Sequence, residues 1–197
     1  PSTTTKKGNV IYEEVIGKPR YEPILQSIKP DGKNLSIIRD ESVDVVISKN
    51  LDLSDISDEI IRIIKPSGFL VVFISKYKVG DFFKFSHPGL NQYGFRTSEI
   101  GQITNRKNIK YKGSIAGIFQ KPPYKKIPVA MPEIMYDHYG DSAGEVLKYL
   151  LPQDGVVLDP AIGDGSQLKS AFENSRRCVG FGAHEEIETA RELFKPK

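Results

Sequence analysis

The feature that most constrains this chain is an apolar strand that leads into a glycine-containing turn late in the sequence. Residues 156–158 are apolar, and residues 159–166 contain Gly163 and Gly165. A turn of this kind normally opens a doubly wound sheet whose ligand lies beyond the carboxyl ends of the strands. Only residues 160–197 follow, which suffice for one more strand and two helices. Most of the sheet must therefore come from upstream residues, so the strand order is permuted.

The upstream residues supply a strand, a helix and a second strand. Residues 42–48 form a short apolar run that suits a buried parallel strand. The acidic stretch 55–59 favours a helix start, and Lys65-Pro66-Ser67-Gly68 predicts that the helix ends there. We therefore predict strands over residues 42–48, 68–74, 114–119, 156–159 and 177–181, and helices over 55–64, 167–174 and 185–194.

This order, with its residues, resembles the DNA amino-methyltransferases of the N6-adenine and N4-cytosine type, which place the catalytic half before the cofactor half. Their Asp-Pro-Phe-x-Gly-Ser-Gly-Thr-like loop is replaced by Asp159-Pro160-Ala161-Ile162-Gly163-Asp164-Gly165-Ser166. Their next strand resembles Arg176-Arg177-Cys178-Val179-Gly180. The resemblance implies an α/β, Rossmann-like S-adenosylmethionine-dependent methyltransferase fold, a mostly parallel sheet with helices on both faces. It also implies a vestigial cofactor site at Asp159, Pro160, Gly163, Asp164, Gly165 and Ser166.

The catalytic motif of that family is absent where it is expected. The family ends this strand with Asp, Asn or Ser, two prolines and an aromatic residue. The side-chain oxygen and a proline carbonyl orient the target amine, while the ring stacks on the extruded base. Here the strand ends in Ser48-Lys49-Asn50-Leu51, of which only Ser48 fits. Loss of the stacking ring alone costs about 1–3 kcal/mol of base binding.

A Pro-Pro-Tyr sequence does occur elsewhere, in Lys121-Pro122-Pro123-Tyr124. It follows a strand of the wrong half, and Lys121 replaces the polar acceptor with a cationic donor. The simpler interpretation is a proline-rich loop that leaves a strand.

The resemblance also identifies a missing acceptor for the cofactor's ribose. The family carries an acidic residue after its second strand, and Gly182 takes that position here, while Ala161 replaces a phenylalanine expected to touch the cofactor. Glu185 and Glu186 follow, and their simpler role is to favour the helix N-terminus. We therefore expect no cofactor, or S-adenosylmethionine bound with a dissociation constant at or above about 1 mM.

Basic residues are concentrated in one segment. Residues 75–126 hold eleven Lys and Arg against two acids, a local balance of +9 within a chain whose net charge is +3. Aromatic residues are interleaved with them, which suits a surface that meets phosphates and stacks bases. The alternative is a solvated rim. The predicted nucleic-acid contacts are Arg106, Lys107, Lys110, Lys112, Lys125 and Lys126.

The composition suits one intracellular domain. With 197 residues, 39% of them hydrophobic, the chain can bury an adequate core. We predict a flexible lead over 1–8 and a methyltransferase-like domain over 9–197, with a catalytic-half remnant at 36–126 and a cofactor-half remnant at 141–197. No apolar run could span a bilayer, no signal pattern opens the chain and the histidines lack metal-ligand spacing. We expect no metal and an intracellular location, cytoplasm or nucleus.

Three functions remain open at this level. The favoured one is a catalytically inactive methyltransferase-like protein that binds nucleic acid or a protein partner, such as an active methyltransferase subunit. The second is an active DNA or RNA amino-methyltransferase with an atypical site. The third is a structural scaffold within a larger assembly. The basic segment favours the first over the third, while Gly182 and the lost motif favour the first over the second.

Overall fold

The fold is an α/β architecture, seen in a computed structural model that describes residues 3–5, 9–11, 23–27, 34–49, 57–75, 79–103, 109–127, 134–136, 142–173 and 176–195. The strands are β1 (Thr3–Thr5), β2 (Asn9–Ile11), β3 (Ile24–Ser27), β4 (Val43–Lys49), β5 (Ile64–Ser75), β6 (Asn91–Ile103), β7 (Ile109–Gln120), β8 (Ile134–Tyr136), β9 (Val156–Asp159) and β10 (Arg177–Gly182). The helices are α1 (Ser57–Ile63), α2 (Val79–Lys84), α3 (Ser142–Leu150), α4 (Ser166–Glu173) and α5 (His184–Phe194), and Asn34–Ile37 is a 3-10 turn.

The main sheet has eight strands in the order β3-β10-β9-β4-β5-β7-β6-β8 within the described ranges. Only β7 among them runs against the others, since it pairs antiparallel with β5 and β6. Strand β4, which contains Ser48, lies beside β9, which ends at Asp159, because Val46 of β4 pairs with Leu158 of β9. The permuted order is confirmed, with the late strand β9 near the centre. Strand β1, inside the predicted lead 1–8, pairs with β2 outside this sheet.

Helices cover both faces of the sheet, as predicted. One face packs Val45, Val71 and Val157 against α3, α4 and α5. The other face packs Leu70 and Leu158 against α1 and the 3-10 turn. Apart from Ser48 and Asp159 near the strand ends, the buried side chains of β4, β5 and β9 are apolar on both faces, which is typical of central parallel strands. The residues at the strand ends are therefore held by a sheet that is packed on both faces.

The junction between α1 and β5 differs from the prediction. We predicted that the strand begins at Gly68, but it begins at Ile64, and residues 65–68 form an irregularity within it. Ser67 has a φ of +65°. A Cβ on Gly68 would stand 2.7 Å from the carbonyl oxygen of Asp44. The Lys-Pro-Ser-Gly sequence does follow a helix end, but Ile64 before it already pairs with Val43.

The two ends of the parallel strands have different roles. We call the side of the sheet at which β4, β9 and β10 end the carboxyl edge, and the side at which they begin the amino edge. Because β7 is antiparallel, its last residue leads into Lys121-Pro122-Pro123-Tyr124 at the amino edge. These residues form a loop, as predicted, and lie across the sheet from Ser48.

No helix within the described ranges has the length and apolar character that a membrane crossing requires.

Lys121 anchors this loop to the end of α1. Its Nζ donates hydrogen bonds to the carbonyl oxygens of Ile61 at 2.9 Å and Ile64 at 2.8 Å, and its side chain is 16% exposed. A cation at this position satisfies carbonyls that the helix leaves unpaired and complements the negative end of its dipole.

Replacement of Lys121 by methionine should lower the free energy of unfolding by about 1–3 kcal/mol. The apolar stem remains, but two partly buried carbonyl oxygens lose a charged donor. Urea unfolding followed by circular dichroism measures the loss. The matched control is Lys125→Met at an exposed residue of the same loop, which should change stability by less than about 0.5 kcal/mol. Equal effects of the two substitutions would contradict the anchoring role.

Candidate functional site

The carboxyl ends of β4, β9 and β10 lie side by side, which is where a doubly wound sheet is expected to form a ligand crevice. Strand β9 ends at Asp159, its neighbour β10 ends at Gly182, and β4 ends at Lys49. Doubly wound sheets bind their ligands in such a crevice, outside the carboxyl ends of the strands.

The loop after β9 has the conformation that its glycines predict. Gly163 and Gly165 have φ values of +55° and +82°, which non-glycine residues rarely adopt. A Cβ on Gly165 would also stand 2.9 Å from the Cβ of Ala190 in α5. Asp164 accepts a hydrogen bond from the Ser166 amide at 3.0 Å, and this bond holds the pKa of its carboxyl below the ordinary value. The loop is therefore fixed from both ends and opens α4.

Asp159 is a buried carboxyl at the floor of the crevice. It is 2% exposed and accepts a hydrogen bond from the Ala161 amide at 3.0 Å. Burial raises its pKa to about 7, opposed by the Ala161 hydrogen bond, and the charges of Glu186 and Asp164 raise it further. The cation of Lys49 acts in the opposite direction on this pKa. A carboxyl whose pKa is raised to near neutral pH is typical of a functional site.

Glu186 occupies the space that the missing side chain of Gly182 leaves. Its Oε2 would stand 2.6 Å from a Cβ at Gly182, and it accepts a hydrogen bond from the Ala183 amide at 2.8 Å. This second contact closes a capping box at the start of α5. The predicted role of Glu186 at the helix N-terminus is thus confirmed. Its position over Gly182 was not predicted, although glycine four residues before glutamate is a signal that the sequence carries.

The residues at the catalytic motif position lie at the end of β4. Ser48 is completely buried and pairs with Val72 across the sheet, while its Oγ makes no hydrogen bond within the described ranges. Lys49 is exposed. Asn50 and Leu51 lie outside the described residues. The structure therefore places the first two motif residues beside the crevice.

The predicted nucleic-acid residues separate into two groups. Lys110 and Lys112 pair with Gln102 and Ile100 in the β6–β7 hairpin, beyond the position where Ser75 ends β5. This part of the hairpin projects past β5 at the carboxyl edge. Lys110 and Lys112 are two residues apart in β7. Arg106 and Lys107 lie outside the described residues.

Lys125 and Lys126 lie at the amino edge instead. Both are exposed and line a cleft of about 490 Å³, to which Lys148 and Arg176 also contribute. Sequence reasoning missed the last two because they lie outside the basic segment.

No cluster of three or more His, Cys, Asp or Glu that could hold a metal ion occurs in the described part of the chain.

Solved structures of DNA methyltransferases share this fold. A Thermus thermophilus protein assigned as a DNA modification methylase, solved with S-adenosyl-L-methionine, superimposes with a TM-score of 0.71 at 17% identity, covering 88% of this chain and 93% of its own. The M1.HpyAVI complex with SAM gives 0.67 at 15% identity, with 89% and 100% covered. The fold is that of the DNA methyltransferases.

The PvuII DNA methyltransferase, which is cytosine-N4-specific, has the same TM-score of 0.67 at 14% identity and covers 88% of this chain and 86% of its own. No family model and no curated protein sequence matches the chain. The resemblance to the amino-methyltransferases that Asp159–Ser166 and the strand order suggest is thus supported by the fold of these neighbours, one of which is cytosine-N4-specific.

Proposed function

We propose that this protein has a methyltransferase fold that binds nucleic acid at the carboxyl edge of its sheet and transfers no methyl group. The observation that carries the proposal is the end of β4, where Ser48 is completely buried and a lysine follows it. A hydroxyl that is completely buried is poorly placed to accept a hydrogen bond from the amine of an extruded base. The flexible Lys49 replaces a rigid proline, so the geometry that steers an amine toward a methyl group is lost.

Binding of nucleic acid is supported by cations at this edge and by two exposed rings further back along the β6–β7 hairpin, where Phe95 pairs with Gly117. Lys110 and Lys112 project past β5, and Lys49 adds an exposed cation at the end of β4. Phe83 in α2 and Phe95 in β6 are exposed and stand edge to face, with ring centroids 6.2 Å apart. Cations that meet phosphates beside exposed rings are the usual parts of a single-strand binding surface. The proposed ligand is single-stranded DNA or RNA, or a strand extruded from a duplex.

A direct experiment measures binding and methyl transfer on the same samples. Fluorescence anisotropy should show binding of single-stranded DNA or RNA, with a log–log salt slope of about −0.7 per phosphate contact. Tritiated S-adenosylmethionine with the same strands, and with duplex DNA, should give no incorporation. Methyl transfer would overturn the proposal in favour of an active enzyme. Absence of binding at low salt would overturn it in favour of a scaffold or of a protein partner.

The active amino-methyltransferase is a second candidate, favoured by the intact loop. The positive φ angles of Gly163 and Gly165 and the buried Asp159 fit an adenosyl cofactor, and two of the structural neighbours were solved with that cofactor bound. S-adenosylmethionine would supply the methyl group as a sulfonium. Lys49 disfavours this ligand. Its positive charge acts to lower the pKa of Asp159, so a sulfonium placed near the same carboxyl would also be repelled by Lys49.

A further inference from the structure

The amino edge of the sheet carries a cleft that is separate from the strand ends at the carboxyl edge. Parts of β5, the loop after β7, the end of α3 with the turn that follows it, and the residue before β10 form its lining. Its volume of about 490 Å³ lies within the range of about 300–1,000 Å³ that is typical of ligand pockets. The cleft is therefore large enough to hold a small molecule or a few side chains of a partner protein.

The interior of this cleft is apolar. Apart from Gln120, the buried residues of its lining are Phe69, Leu150 and Leu151. Both N–H groups of the Gln120 amide are used, because Nε2 donates to the carbonyl oxygens of Ser67 and Lys125 at 3.1 Å. Its Oε1 accepts the Lys125 amide at 3.1 Å. A charged group placed in the interior would lose its water and find few polar partners there, whereas burial of an apolar group is favourable.

The rim of the cleft is positively charged. Four cations border it, three exposed lysines and one partly buried arginine: Lys125, Lys126, Lys148 and Arg176. No Asp or Glu of the described residues contributes to the lining. Lys148 lies in the last turn of α3, and Arg176 donates to the carbonyl oxygen of Leu151 at 2.9 Å, so both also stabilise the end of that helix.

The other two cations have no such role. The side chains of Lys125 and Lys126 make no hydrogen bond or ion pair within the described part of the chain. Both are exposed and both border the same cleft. Their charges are therefore available to an anionic ligand.

The helix terminus at this cleft helps to define that ligand. Phosphate groups are commonly bound by backbone amides at the positive, N-terminal end of a helix. Here α3 ends at Leu150, so the cleft meets the C-terminal, negative end of the helix dipole. Anionic groups are therefore best placed at the exposed lysines of the rim, while an apolar group occupies the interior. A peptide in which acidic residues flank large apolar residues has both parts, and basic clusters are a known mode of acidic-motif recognition.

We propose that the amino-edge cleft binds a partner protein through a segment in which acidic residues flank large apolar side chains. One or two of the apolar side chains fill the interior as anchors, since a few buried side chains carry most of the binding energy of an interface. The flanking carboxylates pair with Lys125 and Lys126. This surface lies at the opposite ends of the strands from Lys110 and Lys112, so one molecule can hold the partner and the proposed nucleic acid at the same time.

The experiment uses the full chain and a short fluorescein-labelled peptide that alternates glutamate with leucine and phenylalanine. Fluorescence anisotropy should show a dissociation constant of about 100 μM or tighter. The affinity should fall as salt is added, because exposed charges are screened. A peptide with serine in place of leucine and phenylalanine, and another with lysine in place of glutamate, should each bind at least about tenfold more weakly. The two control peptides separate the apolar contribution from the charge contribution.

Replacement of the rim lysines tests the site itself. Lys125→Ala with Lys126→Ala should weaken binding of the acidic–apolar peptide by about tenfold, because two ion pairs are lost. Both side chains are exposed, so the variant should fold normally, which circular dichroism checks. The matched control is Lys110→Ala with Lys112→Ala, which makes the same change in net charge at the carboxyl edge. It should leave the peptide affinity within about twofold of the unmodified protein.

Absence of peptide binding, or an equal loss of affinity in the two double variants, would overturn the proposal. Competition at constant ionic strength supplies two further tests. Displacement of the peptide by millimolar inorganic phosphate or ATP would identify the cleft as a site for small anions instead. Displacement by single-stranded DNA would make the cleft part of the nucleic-acid surface. Failure of the protein to bind nucleic acid at all would leave the peptide result standing, because the two measurements use different ligands and opposite edges of the sheet.

Discussion

Replacement of Asp159 by asparagine should stabilise the protein at about pH 8, by up to about 4 kcal/mol. The pKa of this carboxyl is raised from 3.8 to about 7, mainly by burial. The folded protein therefore holds the proton more tightly than the unfolded chain, and stability falls as the pH rises from about 4 to about 7. Asparagine carries no charge and still accepts the Ala161 amide, so it escapes this cost.

Urea unfolding at about pH 5.5 and pH 8 tests this expectation. The unmodified protein should lose stability between the two values, whereas the Asp159→Asn variant should lose much less. The matched control is Asp164→Asn in the same loop, whose carboxyl is exposed and has a pKa lowered by the Ser166 amide. Its replacement should give no stabilisation at pH 8. If Asp159→Asn shows the pH dependence of the unmodified protein, the carboxyl is ionised at low cost and the crevice floor is not dry.

Charge reversal of Lys110 and Lys112 should weaken nucleic-acid binding by about two orders of magnitude at low salt. Two phosphate contacts are lost and two repulsive charges are introduced at the carboxyl edge. The log–log salt slope should become less negative by about 1.4 to 1.8, equally for unrelated sequences. Fluorescence anisotropy over a range of salt concentrations measures both quantities.

The control for this prediction is charge reversal of Lys125 and Lys126. This pair makes the same change in net charge, but the structure places it at the amino edge. Its effect should stay within about threefold, as expected for a general change in the field of the protein. A loss equal to that of Lys110→Glu with Lys112→Glu would show that the amino-edge cleft meets the nucleic acid. No effect of either pair would remove the hairpin from the binding surface.

The central strands could be predicted from the sequence because nearly all their residues are apolar. Apolar runs at β4, β5 and β9 are typical of strands buried on both faces, and strands that precede Asp159 in the sequence supply most of the sheet. Strand β6 (Asn91–Ile103) gave no such signal. It contains many polar residues and lies near the edge of the sheet, where a strand needs little apolar surface.

The site was predictable only in part, for two physical reasons. Lys110, Lys112, Lys125 and Lys126 are close in sequence and were assigned to one surface, but β7 has 12 residues and carries the chain roughly 35–40 Å from one edge to the other. The place of Glu186 depends on a side chain that Gly182 lacks, which is a packing relation between two elements. A local sequence pattern identifies the two residues, but it does not give the distance between them in the folded protein.

The position of β9 in the sheet also determines the order in which the protein can be completed during synthesis. Its neighbour β4 emerges from the ribosome more than one hundred residues earlier, and until β9 arrives one side of β4 has no strand to pair with. Strand β3 likewise waits for β10. The nascent chain therefore carries unpaired strand edges on β4 and β3 until the later strands arrive, and such edges are prone to aggregation unless chaperones protect them.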